Sequence, residues 1–309
     1  MESSIQIDNS TLSHQPTDSL QNPILQQSQS TDIEAQQSSA KIADPKKNCT
    51  SFSQYPHFWY PIVPAAIFIL FAICFCWFYV DRDAPKWNYP VYAFCLGTFL
   101  AIACAYIYFE KIYYYGISGF YETFWFCNIS LVMCVFGILL RLPTLIGMTC
   151  IMVFFPHFGF YFDSICYLLI RKTPFGAAGF FFDKQWPLHN KLASLHHFWY
   201  IPCICVLLYH MPYFSYWSYI LSIIYFSYFQ IMCHYCIPLY APNPDGTERF
   251  LNVDISYVLP DCLKNIFPFR LANGRPIICL FLVGFFFYAL PVNGIAWAVV
   301  YFIQYLLNL

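Results

Sequence analysis

The run FWYPIVPAAIFILFAICFCWFYV, residues 58–80, holds 23 residues and no charged side chain. As an α-helix rising 1.5 Å per residue it would span about 35 Å, more than the roughly 30 Å hydrocarbon core of a bilayer. It therefore predicts a membrane-crossing helix. Six further apolar runs lie downstream, at 90–109, 120–140, 144–170, 190–209, 215–237 and 277–307. The composition agrees: 59% of the 309 residues are apolar and only 10% are charged, against about 45–50% and about 25% in soluble domains. A soluble chain with so few polar groups could not cover its surface, so the excess apolar side chains are expected to face lipid. The expected fold class is all-α, a multi-pass transmembrane helical bundle of about seven spans (six to eight). The last run would be about 46 Å long as one straight helix, and Pro291, Asn293 and Gly294 interrupt it. One tilted, kinked span is the reading there, with two half-spans as the alternative.

Residues 1–52 are rich in Ser, Thr, Gln, Asn and Asp, and the first aromatic is Phe52. Such a segment cannot bury enough apolar surface to offset its ordering entropy, which predicts a disordered tail ahead of a membrane domain at 53–309. With no basic start and no apolar core it does not read as a signal peptide, so the first span is expected to act as the targeting signal. With seven spans, twelve Lys and Arg fall on the amino-terminal side, among them Lys111, Arg171, Lys172, Lys184, Lys191 and Arg249. The other side has three, Arg82, Lys86 and Arg141. The positive-inside rule then makes the amino terminus and the polar loop 238–276 cytosolic. Glycan on the sequon Asn48-Cys49-Thr50 would reverse that topology. A net charge of −1 gives no reason to expect a nucleic-acid partner.

Polar side chains inside spans are costly and mark helix contacts or cavities. With direction assigned, Glu122 and Asn128 fall in the first half of the third span and Asp163 two turns before the end of the fourth. His196 and His197 lie two turns into the fifth span, and Gln230 and His234 in the last two turns of the sixth. Four successive spans thus place polar groups in the same, cytosolic leaflet, where they are expected to line a pocket. Histidine is the natural base near neutral pH, and a carboxylate can hold its tautomer. The candidate catalytic residues are therefore His197, His196, Asp163 and Glu122. Asn128, Asp183, His234 and Gln230 are the candidate substrate-binding residues. Arg171, Lys172, Lys184 and Lys191 could draw a phosphate headgroup or a phosphate-bearing donor to this face. His157 falls in the other leaflet and is the main candidate there for a transport pathway.

Thirteen of the fifteen cysteines lie within or at the ends of apolar runs, where cysteine behaves as a small hydrophobe. No disulfide framework is expected. Cys203-x-Cys205 and the pair Cys233 and Cys236 have ligand-like spacings but sit at different depths, and no metal site or cofactor is expected. His189 and the His196-His197 pair lack the gap of desaturase histidine boxes, which argues against a di-iron oxygenase.

Between residues 124 and 259 the chain resembles a family of mostly uncharacterised polytopic membrane proteins found in bacteria and some eukaryotes. The carrying residues are Phe126-Cys127-Asn128, Asp163, Phe182-Asp183, Ser194-Leu195-x-His197-x-Trp199 and Asn252-Val253-Asp254. Against that pattern the chain has an added His196, and Pro202 falls one residue late. A looser similarity to glycerophosphocholine acyltransferases implies acyl transfer to a lipid-related hydroxyl. Ser194-x-His196 with His234-Tyr235 also echoes type-2 phosphatidic acid phosphatases, without their upstream basic motif. The function these readings favour is transfer of an acyl or related group onto a lipid acceptor. Membrane lipids and an acyl or phosphate-bearing donor are the expected partners. A transporter or channel, and a structural or assembly subunit without catalysis, are the alternatives.

Overall fold

The computed structural model describes residues 58–83, 91–209, 211, 214–257, 264, 266–272 and 277–307, all within one compact unit, Lys41–Leu309. The expected disordered tail, the sequon at Asn48 and most of 258–276 lie outside the described residues. Among the described residues helices dominate, and the only β-structure is a hairpin of β1 (Tyr240–Pro242) and β2 (Glu248–Phe250), with Ala241 opposite Arg249.

The first apolar run forms α1 (Ile62–Phe75) and continues through a π-helical turn, Cys76–Val80. Asp81 follows, and its carboxylate accepts from the backbone N–H of Thr144 at 3.3 Å and from the Thr144 hydroxyl at 2.6 Å. This caps α4 (Pro143–Ile170), whose own N-cap residue, Leu142, offers no side-chain acceptor.

α2 (Val91–Glu122) extends well past residue 109, where its span was expected to stop. Glu110 and Lys111 do not end the helix because both charges are partnered: Glu110 with His189 at 2.6 Å, and Lys111 with Glu122 at 2.9 Å. At Gly116 (φ 57°, ψ −126°) the backbone takes a conformation that a Cβ disfavours. The chain turns there, and a Cβ added to Gly119 would lie 1.9 Å from the Lys111 carbonyl oxygen. The apolar run expected as one helix over 120–140 is consequently divided. Its first residues, 120–122, belong to the end of α2 beyond this turn, and α3 begins only at Phe126 (Phe126–Leu139), leaving 14 helical residues.

α4 is the centre of the molecule. It packs against α3, α6 (His196–Tyr209), α7 (Tyr216–Cys236) and α9 (Leu290–Leu307). The most apolar stretch of α4 is 61% buried, against 22–33% in the other long apolar helices. A short α5 (Leu188–Ser194) leads into α6 with a break at Leu195. Pro202 inside α6 cannot donate to the Phe198 carbonyl, and the Tyr161 hydroxyl of α4 donates to it instead at 3.0 Å. The last run is one helical rod, α8 (Ile277–Gly284) and α9 joined by a π-helical turn at Phe285–Ala289.

Among the described residues, five helical stretches are long and apolar enough to cross a membrane: Ile62–Val80, Ala93–Glu122, Pro143–Ile170, Leu188–Tyr209 and Ile277–Leu306. α7, at 21 residues, has the length as well, and its polar Ser218, Ser222 and Gln230 are buried. Large apolar side chains such as Leu70, Phe94, Ile102, Leu169 and Phe302 point outward. In this setting their exposure is contact with lipid, and the chain is an integral membrane protein built of helices. At one end of the bundle the turn after α2, the start of α5 and the β-hairpin meet. Ser118 donates to Asn243 at 2.7 Å there, and Arg249 pairs with Glu122 at 2.7 Å.

Candidate functional site

α3 begins without a side-chain cap from its own N-cap residue, Trp125. Asp254 supplies one from a distant loop, accepting from the Phe126 N–H at 2.7 Å and from the Cys233 thiol at 3.5 Å. The stretches around Phe126 and around Asp254 are thus bonded to each other. Asp254 and Ile255 both have left-handed backbones, φ 54° and 57°. Asp tolerates this readily, whereas a β-branched Ile is strained by it, and such strain concentrates near functional sites.

Burial pushes the Asp254 carboxyl well above the usual carboxylate range, with the Phe126 N–H opposing. A raised folded value means that stability falls with pH between the ordinary carboxylate range, about 4, and the raised value, and levels off above it. Asp254→Asn keeps the acceptor and the backbone tolerance while removing the buried charge. Thermal melts should therefore show the variant at least as stable as wild type at neutral pH, with less loss as pH rises. Asp254→Ala should cost about 1 kcal/mol through the lost cap at low pH, a cost that shrinks as pH rises because the buried charge is lost as well.

The cap places Cys127 and Asn128 in the first turn of α3. Asn128 is 1% exposed; its amide donates to the Glu122 carbonyl oxygen at 3.0 Å, and its Oδ1 has no partner. Opposite stand three imidazoles, His157 from α4 and His196 and His197 from the first turn of α6. Ring centroids are 4.0 Å apart for His196 and His197, 4.8 Å for His157 and His197, and 6.2 Å for His157 and His196. Nδ1 of His157 bonds the Val153 carbonyl at 3.0 Å, and Nδ1 of His196 bonds the Ala193 carbonyl at 2.7 Å. A carbonyl oxygen only accepts, so each Nδ1 carries a proton, and in the neutral ring each Nε2 keeps a lone pair. Both Nε2 atoms are buried without a partner among the described residues. His197 is half-buried, stacked on Phe160 at 4.9 Å, and neither of its ring nitrogens has a hydrogen bond among the described residues. The thiol of Cys127 and one ring nitrogen each of His196 and His197 lie within 4.8 Å of one another.

Beside this cluster runs a charged network. Glu122 is held by Lys111 and Arg249, and Arg249 lies 4.2 Å over the Tyr115 ring. The Asn190 amide donates to the Tyr115 hydroxyl. His189 stacks on Tyr114 at 3.7 Å.

Of the residues expected from sequence, the structure gathers Glu122, Asn128, His196 and His197 in one region. Asp163 does not orient a histidine: its two oxygens accept from the N–H groups of Phe175 and Ala178, at 2.8 and 3.2 Å, and so shape the loop after α4. Asp183 accepts from the Gln185 N–H at 2.9 Å, and its carbonyl accepts from Lys191. His234 donates to the Ser256 carbonyl at 2.9 Å, and Gln230 leaves a buried Oε1 without a partner near Gly284. Those three stand apart from the imidazoles. The sequence reading assigned His157 to the other leaflet and gave Cys127 no role of its own; both belong to the cluster. The signal that could have found His157 is its place on the fourth span, within two turns of Asp163, which puts it near mid-span rather than in the far leaflet. The thirteen described cysteines are free thiols, and neither Cys203 with Cys205 nor Cys233 with Cys236 belongs to the ligand-like group. No protein-family model, no curated protein and no solved structure matches this chain.

Proposed function

We propose that this protein is a membrane-embedded transferase that moves an acyl or related group onto the hydroxyl of a lipid-type acceptor, with the imidazole cluster as the hydroxyl-activating centre. The observation that carries the reading is the set of unpartnered imidazole nitrogens in the middle of a membrane bundle. A buried acceptor without a donor costs about 1–3 kcal/mol, and two of them side by side, on His157 and His196, favour an external donor such as a hydroxyl. Half-buried His197 stands at the edge of the cluster and is the ring that an entering acceptor touches. The acceptor proton passes to an imidazole, the oxygen attacks the donor carbonyl carbon, the bond to the leaving group breaks, and the proton goes to that group.

The face bearing the Glu122 network is taken as cytosolic, on the Lys and Arg distribution. Arg171, Lys172 and Lys184 at the same face would draw a phosphate-bearing donor. The test is comparative lipidomics of cells lacking the protein, rescued by wild type or by His197→Ala. One lipid class should shift and only wild type should restore it, with turnover in the variant lowered by about 10²–10⁴. Full rescue by His197→Ala, or no lipid change at all, overturns the reading.

A further inference from the structure

We infer that Cys127, His196 and His197 form a binding site for a borderline-soft divalent metal ion of the zinc class. Three observations support it. The thiol and the two imidazoles already lie within 4.8 Å of one another. Tetrahedral zinc, with bonds of about 2.0–2.3 Å, sets its ligands about 3.5 Å apart, so a closure of about 1 Å by side-chain rotation completes the set. His196 is 4% exposed, and its Nδ1 is tied to the Ala193 carbonyl, which fixes Nε2 as the nitrogen with a lone pair. Metal-bound histidines are held in this way, one ring nitrogen on a backbone carbonyl and the other on the metal. Among the described residues that Nε2 has no partner, and neither has the neighbouring Asn128 Oδ1.

Donor chemistry narrows the ion. One thiolate with two imidazoles suits zinc and its neighbours, whereas magnesium and calcium require oxygen ligands. Of the charges that bear on Cys127, that of Lys111 is already paired to Glu122. Three protein ligands leave a fourth position open, the arrangement of catalytic rather than structural zinc sites. His157, outside the ligand set but 4.8 Å from the His197 ring, then has the role of proton acceptor. Occupancy of the site is independent of the transferase reading; only this assignment of roles rests on it.

The test uses the full chain purified in nanodiscs, loaded with zinc and freed of excess metal. Elemental analysis should find about one zinc per chain, and bound zinc should protect Cys127 from alkylation, read by mass spectrometry of the labelled thiols. Cys127→Ser and His196→Gln should each weaken zinc binding by more than about 100-fold, whereas His234→Gln should leave it unchanged. The protection measurement needs no variant and stands even where a substitution fails to fold. Absence of zinc from wild type, equal labelling of Cys127 with and without zinc, or unchanged binding in Cys127→Ser overturns the site. A zinc-free wild type whose lipid product still depends on His197 removes the metal and leaves the transferase. A zinc-bound protein whose loss shifts no lipid does the reverse.

Discussion

Gly119→Ala is expected to abolish the folded protein. The added Cβ would sit 1.9 Å from the Lys111 carbonyl oxygen, 2.6 Å from its carbon and 2.8 Å from the Tyr115 Cβ. Two of these are backbone atoms, so no side-chain rotation relieves the clash, and the turn at Gly116 within α2 must open by more than 1 Å. Overpacking of a well-filled interior typically costs 1–3 kcal/mol, and more where backbone has to move; a cost at or above about 4 kcal/mol is expected here. The measurement is monodisperse yield and thermal midpoint in detergent, with Gly159→Ala as control, since a Cβ at Gly159 meets nothing within 4 Å. A Gly119→Ala protein that melts with wild type would show that the turn is not packed as described.

Glu122→Gln is expected to have the second largest effect. Its carboxylate holds Lys111 at 2.9 Å and Arg249 at 2.7 Å, with side-chain exposures of 12% for the acid and 21% for each base. Removing the shared anion leaves two largely buried cations facing each other, and breaking such a set costs about 3–5 kcal/mol. Replacing one base as well, Glu122→Gln with Lys111→Met, should recover part of the loss, because the destabilisation comes from the unpaired charges. Thermal unfolding of wild type, both single variants and the double variant gives the coupling directly. Additive losses would mean that Glu122 is not the shared partner. The same substitution should also loosen the Glu122 carbonyl that holds Asn128, so the beginning of α3 should shift with it.

The all-α membrane architecture was legible from length and composition alone, because few residue types satisfy lipid and the apolar runs leave little choice. Helix ends were less legible. Glu110 and Lys111 read as the close of a span, yet they lie within α2 because side chains more than ten residues away, His189 and Glu122, bond to them. Periodicity has no access to such pairings. Residues 120–125 are as apolar as the helix that follows, and only the left-handed backbone of Gly116 removes them from it. In the candidate site, depth along the spans identified His196, His197, Asn128 and Glu122 as one group. The same argument paired Asp163 with a histidine, although its oxygens close a loop, because depth alone does not say which way a side chain points. Arg249 and Lys111 were read as topology determinants, and their second role at Glu122 depends on a hairpin that no apolar pattern announces.

α3 has 14 residues and is about 21 Å long, roughly 9 Å shorter than a hydrocarbon core. Eight of its residues are buried, Asn128 and Ser130 among them, so along most of its length this short helix is walled by other helices rather than by lipid. The missing length is made up by protein: Asp254, from the loop after the hairpin, meets the exposed N–H at its start. A helix too short to cross a bilayer alone is thus accommodated by its neighbours, and its polar first turn stays inside the protein.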